Sequence, residues 1–159
     1  LIIGMTTVLW AKLEGATDAC NDLAFNRGGS AFEKELPQAL NRKLRFMRRC
    51  HKRLPLLNPL RRQADELVDR VQKLKQARHD LIHGVAREFP AAETMSFIRH
   101  SHGPEGLGVE HFTKTSADLS DFALSTMDLF EAAEDHLIAM INLIRSQSGD
   151  DESGDLTDE

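Results

Sequence analysis

Apolar residues recur every three or four positions through most of this chain, and each run is closed by glycine, proline or a short polar stretch. Leu9, Leu13, Ala16, Cys20 and Leu23 predict a helix over about 6–25, ended by Asn26-Arg27-Gly28-Gly29-Ser30. Leu40, Leu44, Met47 and Leu54 predict a second over about 37–54, closed by Pro55 and Pro59. A third runs over about 60–83 on Leu60, Ala64, Leu67, Val71, Leu74 and Leu81, with Gly84 placed to stop it. Leu119, Phe122, Thr126, Leu129, Ala133, Leu137, Met140 and Ile144 predict a last, long helix from Asp118, a candidate cap, to about Arg145.

Between the third and fourth helices the period changes. Residues 94–101 and 107–115 predict two strands around the turn His102-Gly103-Pro104-Glu105-Gly106. Met95, Phe97, Ile98 and Phe112 are expected to pack this hairpin on the helices or on a second subunit. The expected fold class is all-α: an antiparallel helical bundle of about four main helices, with a β-hairpin insertion at about 94–115 before the last. One domain is expected over 1–147, followed by an acidic disordered tail over 148–159.

Charge changes this picture locally. The chain carries a formal −5, but Asp150, Asp151, Glu152, Asp155, Asp158 and Glu159 crowd its last ten residues, and removing those six acids leaves +1. Nine of the 20 basic residues fall between positions 42 and 62. On the second helix Arg42, Arg45, Arg49 and Lys52 line a side away from the apolar stripe, where they are candidate salt-sensitive contacts to an RNA backbone. Cys20 and Cys50 lie on apolar stripes without metal spacing between them, as expected of buried thiols in a reducing compartment. The uncharged opening, 1–11, is broken by Gly4, Thr6 and Thr7 and followed by Lys12 and Glu14, so neither a membrane span nor a secretory signal is expected. The expected location is cytoplasmic.

The candidate chemistry lies in Arg78-His79-Asp80-Leu81-Ile82-His83-Gly84. Arg78 stands where the apolar stripe of the third helix was due, and a guanidinium there is costly unless it is paired, hydrated or facing a cleft. His83 is suited to move a proton near neutral pH, and Arg78 to hold a phosphodiester, which together are the minimum for cleaving RNA without metal. Five residues place them about 140° apart on an ideal helix, so a homodimer in which two copies of the helix converge is the expected way to complete the site. His79 and Asp80 are candidate polar support, and Asp80 and the helix end both favour a protonated His83. The bland alternatives are an Arg78 paired with a carboxylate, such as Asp80 or one on another helix, and a His83 capping its helix. His79-Asp80-Leu81-Ile82-His83 also mimics a zinc-protease helix, with His100, His102 or His111 as a third ligand. Gly84 and the missing downstream histidine helix argue against it, so no metal or cofactor is expected.

The segment Arg78 to His83, R-x-x-x-x-H with a polar residue after the arginine, resembles the motif of HEPN domains. These are all-helical, often dimeric bundles that include many metal-independent ribonucleases of toxin and antiviral systems. The resemblance implies an RNA-binding protein that cleaves RNA through Arg78 and His83 at a dimer groove, with an antitoxin protein as a further partner. Its alternative is a non-catalytic HEPN-like module that binds nucleotide or a partner. HEPN toxins paired with nucleotidyltransferase antitoxins carry a tyrosine two residues after the histidine, where this chain has Val85, and the chain holds no tyrosine.

Overall fold

The computed structural model describes residues 2–91, 93–103 and 106–149; the expected acidic tail from residue 150 onward lies outside them, as do the side chains of 2, 82, 83, 85, 87–91 and 101–103. The chain is mainly helical. Four long helices, α1 (Ile2–Asn26), α2 (Leu40–Arg53), α3 (Arg61–His83) and α4 (Ser116–Gly149), enclose the core, and a small antiparallel sheet lies between α3 and α4 in sequence. Among the described residues no helix is long and apolar enough to cross a membrane.

The expected stripes are the buried ones, with instructive exceptions. Leu13 and Cys20 of α1, Leu44 and Met47 of α2, Ala64, Leu67 and Val71 of α3, and Leu129, Ala133 and Met140 of α4 meet in one core. On α4 the buried step between Ala133 and Met140 is His136 rather than Leu137, which is only partly covered. Both thiols are sealed, and burial pushes Cys20 and Cys50 up to about 12, so each stays a neutral packing group.

Contacts between helices fix their directions. Trp10 stacks on Phe122, Lys12 reaches over the Phe130 ring, and the Cys20 thiol lies 4.0 Å from the Ala133 carbonyl, so α1 and α4 ascend together. Lys75 meets Asn41 while Asp65 and Asp69 meet Arg48, so α2 and α3 run oppositely. The expected antiparallel order therefore fails for α1 and α4. The reason is the segment 27–39, which doubles back along α1 and starts α2 beside its middle, where Lys43 pairs with Asp18 and its carbonyl accepts from Asn21.

The sheet has three strands rather than two: β1 (Val85–Ala91), β2 (Thr94–Gly103) and β3 (Gly106–Thr115), in the order β1-β2-β3. β2 and β3 form the expected hairpin, with Gly103 opposite Gly106. β1 is the unexpected strand. Pro90 argues against a strand in the sequence, but β1 is an edge, where a missing N–H need not break a ladder, and its pairing with β2 is irregular beyond Ala86.

Gly84 stops α3, but not by a left-handed turn, since its backbone is extended at φ −76°, ψ 130°. Space demands the glycine instead. A Cβ there would lie 2.4 Å from the Asp80 carbonyl oxygen and 3.0 and 3.2 Å from the rings of Phe112 and Phe97, which stack across β2 and β3 beneath it. At the start of α4, Thr115 is the capping residue and Asp118 its partner. The Asp118 carboxylate accepts from the Thr115 backbone N–H at 2.8 Å, and the Thr115 hydroxyl accepts from the Asp118 N–H at 3.0 Å. α4 also runs beyond its expected end to Gly149, taking in the first residues assigned to the tail, because no glycine or proline intervenes and Ser146 and Ser148 bond back to Leu143 and Ile144.

Two histidines join α2 to α4 in the core. His51 and His136 are both fully buried, with their Nε2 atoms 3.0 Å apart. The Met47 carbonyl, 2.8 Å from His51 Nδ1, can only accept, so Nδ1 holds the proton of a neutral His51. His51 Nε2 then accepts from His136 Nε2–H, leaving His136 Nδ1 a lone pair with no partner among the described residues. Burial, followed by the neighbouring His51, lowers His136 to about 4, and burial also lowers His51.

Two predictions follow from these contacts. Gly84→Ala should cost about 2 kcal/mol or more in chemical denaturation, because backbone must move to admit the methyl; unchanged stability would contradict the close approach. The unfolded histidines bind protons first, so stability should be complete above about pH 6.5 and fall as pH drops from there to about 4. The loss from His136 alone should approach about 3 kcal/mol. Thermal melts across that window check the sign, and a midpoint that rises on acidification would contradict it.

Candidate functional site

Among the described residues, the last turns of α3 and the outer side of α2 form separate surfaces with no lining residue in common. On α3, Arg78 shares a face with Leu81 and meets the first half of α1. Its guanidinium lies 5.7 Å over the Trp10 ring and 3.7 Å from the Glu14 carboxylate, which also accepts from the Trp10 indole N–H at 2.6 Å. The arginine on the apolar stripe thus has a carboxylate on another helix and an aromatic face within its own chain. The contact is open rather than sealed: the Arg78 and Glu14 side chains keep 30% and 33% of their exposure, and Arg78 Nε is buried with no acceptor among the described residues. Ile3, Thr6, Thr7, Trp10, Leu81 and Phe122 complete a crevice beside it of only about 10 Å³, the room of a single water.

The other motif residues separate. Asp80 faces the sheet, where its carboxylate accepts from Arg99 of β2 and from Gln76 at 2.8 Å, and Arg99 also bonds Glu110 of β3. This Asp80-Arg99-Glu110 chain ties the end of α3 to the sheet, so Asp80 already has a structural occupation. His79 is exposed. The side chain of His83 lies outside the described residues, so the meeting of Arg78 with His83, and the zinc-like pairing of His79 with His83, lie there too. His100 and His111 are exposed on the sheet; Val109 stands opposite His100 and Ile98 opposite His111. Among the described residues no group of three or more His, Cys, Asp or Glu side chains is gathered for a metal.

α2 sorts its cations by direction. Lys43 turns to Asp18 of α1, and Arg48 to Asp65 and Asp69 of α3, so both serve helix packing. Arg42, Arg45 and Arg49 point the other way and, with Phe46 and Glu33, line a surface groove of about 400 Å³. The segment after α1 forms its far wall: Arg49 donates to the Phe32 carbonyl at 3.2 Å and lies 5.7 Å over the Phe32 ring. Lys52 is exposed but does not line the groove. Among the described residues three arginines and one glutamate line it, an excess of positive charge suited to phosphate oxygens.

Sequence reasoning found the arginines of α2 and Arg78, but not their partners. Glu14, Trp10, Glu33 and Arg99 are remote in sequence from the groups they touch and carry no local signal. His51 and His136 had one: each falls at helical spacing among buried residues. No protein family, curated protein or solved structure matches this chain.

The site's geometry makes one link testable without a ligand. Asp80→Ala should cost about 2 kcal/mol by leaving a mostly covered Arg99 short of a partner, and Arg99→Ala should cost less in that background than alone. A double-mutant cycle should give a coupling of about 1 kcal/mol. Additive losses would mean that α3 is not held to the sheet by this pair.

Proposed function

We propose that this chain is an RNA-binding protein of HEPN-like helical-bundle build, holding the phosphodiester backbone on Arg42, Arg45 and Arg49 of α2, with Lys52 adding positive field at the rim. The observation that carries the reading is the convergence of three guanidiniums on one open groove with a single opposing carboxylate. Arginine forks match phosphate oxygens in shape and charge, and a surface of this kind binds without needing a base sequence. A groove of about 400 Å³ admits a backbone segment, whereas the crevice beside Arg78 does not.

Cleavage at Arg78 and His83 in a homodimer groove is the second reading. It is favoured by the unmet donor at Arg78 Nε and by the loose 3.7 Å contact to Glu14, which leave the guanidinium able to take a better anion. It ranks below binding because Glu14, Trp10 and the Asp80-Arg99 bond already give the motif a role within one chain.

Fluorescence anisotropy with a labelled single-stranded RNA separates the two. Wild type should bind at low salt with a log–log salt slope of about −2, from about 0.7 per neutralised phosphate. The triple variant Arg42→Gln, Arg45→Gln, Arg49→Gln should lose about tenfold or more in affinity and most of that slope. Equal binding by the variant would refute the groove. In chelator the bound RNA should stay intact; cleavage that vanishes in both Arg78→Ala and His83→Ala would promote the second reading over the first.

A further inference from the structure

Among the described residues Glu33 is the one acid that lines the arginine groove. Its two carboxylate oxygens face different arginines: Oε2 lies 3.5 Å from Arg42 Nη2 and Oε1 lies 3.7 Å from Arg49 Nη1. A carboxylate that bridges two guanidiniums this way occupies the position an RNA phosphate would take. Yet both distances exceed those of charge-assisted hydrogen bonds, which fall near about 2.8 Å. Both arginines are exposed and Glu33 is partly so, which makes these weak, screened ion pairs. Arg45, between the two on the helix, has no ion pair among the described residues and is open to an incoming anion.

We propose that Glu33 is an internal stand-in for phosphate, a built-in competitor that occupies Arg42 and Arg49 in the free protein and is displaced when an RNA backbone enters. The proposal rests on the RNA-binding reading of this groove and adds the regulation of its affinity. Displacement needs only a rotation of the Glu33 side chain. The segment that carries it stays anchored, because Arg49 holds the Phe32 carbonyl and ring through contacts that do not involve the carboxylate. Arg45 makes the first contact, and the two bridged arginines follow as their loose carboxylate partner is exchanged for shorter bonds to phosphate oxygens. The competitor therefore weakens binding of a chain that engages all three arginines more than binding of a single small anion, which Arg45 can take without displacing it.

The test compares Glu33→Gln with Glu35→Gln in the full chain, using the same labelled RNA and inorganic phosphate as a second probe. Glu35 lies in the same segment, is exposed, does not line the groove and makes no ion pair among the described residues, so its change alters net charge equally. Glu33→Gln should tighten RNA binding about fivefold, the scale of one exposed ion pair, and should raise phosphate affinity by a smaller factor. Glu35→Gln should change either by less than about twofold. Equal tightening by both variants would reduce the effect to overall charge and overturn the proposal, as would weaker RNA binding by Glu33→Gln with its helical circular dichroism intact. Absence of RNA binding in wild type and both variants would instead overturn the RNA reading, and this inference with it.

Discussion

The seating of α2 depends on one buried hydrogen bond, from His136 of α4 to His51 of α2. Two imidazoles buried this fully are tolerable only if both are neutral and share their protons in one arrangement, which the Met47 carbonyl dictates. That arrangement fixes how α2 is turned about its axis. With His51, Leu44, Met47 and Cys50 inward, Arg42, Arg45 and Arg49 have no direction left but outward, toward Phe32 and Glu33. A rotation of α2 that released the histidines would carry the arginines out of the groove. Gly29 adds a second constraint, since a Cβ there would lie 2.8 Å from the Phe46 ring and 3.0 Å from the Cys50 sulfur, which keeps the segment bearing Glu33 close against α2.

The sheet plays a comparable part at the other end of the molecule. Gly84 lets the chain leave α3 against the stacked rings of Phe97 and Phe112, and Arg99 reaches from β2 to Asp80. The motif that resembles HEPN domains therefore sits at a joint. Arg78 and Asp80 each satisfy a structural need there: one offsets Glu14 beside an indole, the other anchors a strand. Removing one partner of such a pair leaves a charge short of compensation, even where the intact pair adds little net stability. An arginine so placed serves the fold and still keeps a donor unmet.

Helices were legible in the sequence because each must bury one stripe, and the periods at Leu13 and Cys20, Ala64 and Val71, or Ala133 and Met140 left little choice. The hairpin was legible from its glycine-rich turn. β1 was not, because Pro90 masks a strand that only an edge position tolerates. Nor was the common direction of α1 and α4, which depends on how 27–39 folds back. At the site, the arginine face of α2 followed from helical spacing alone. Glu14, Glu33 and Arg99 could not be read, because a salt bridge between distant segments leaves no periodic trace. The histidine pair was half legible: His136 falls between Ala133 and Met140 at core spacing, but its neighbour Leu137 offers the same register with a more ordinary residue.

On the proposed function, binding falls to α2 and a structural joint to the end of α3, with RNA cleavage resting on a histidine whose side chain lies outside the described residues. That proposal turns on where phosphate binds. The most direct measurement is a two-dimensional NMR titration of isotope-labelled protein with a short RNA at low salt. The account predicts progressive shifts of the Arg42, Arg45 and Arg49 side-chain signals, with the Glu33 backbone amide moving alongside them and Trp10 unchanged. Shifts confined to Trp10, Arg78 and the start of α4, with the α2 arginines still, would contradict it.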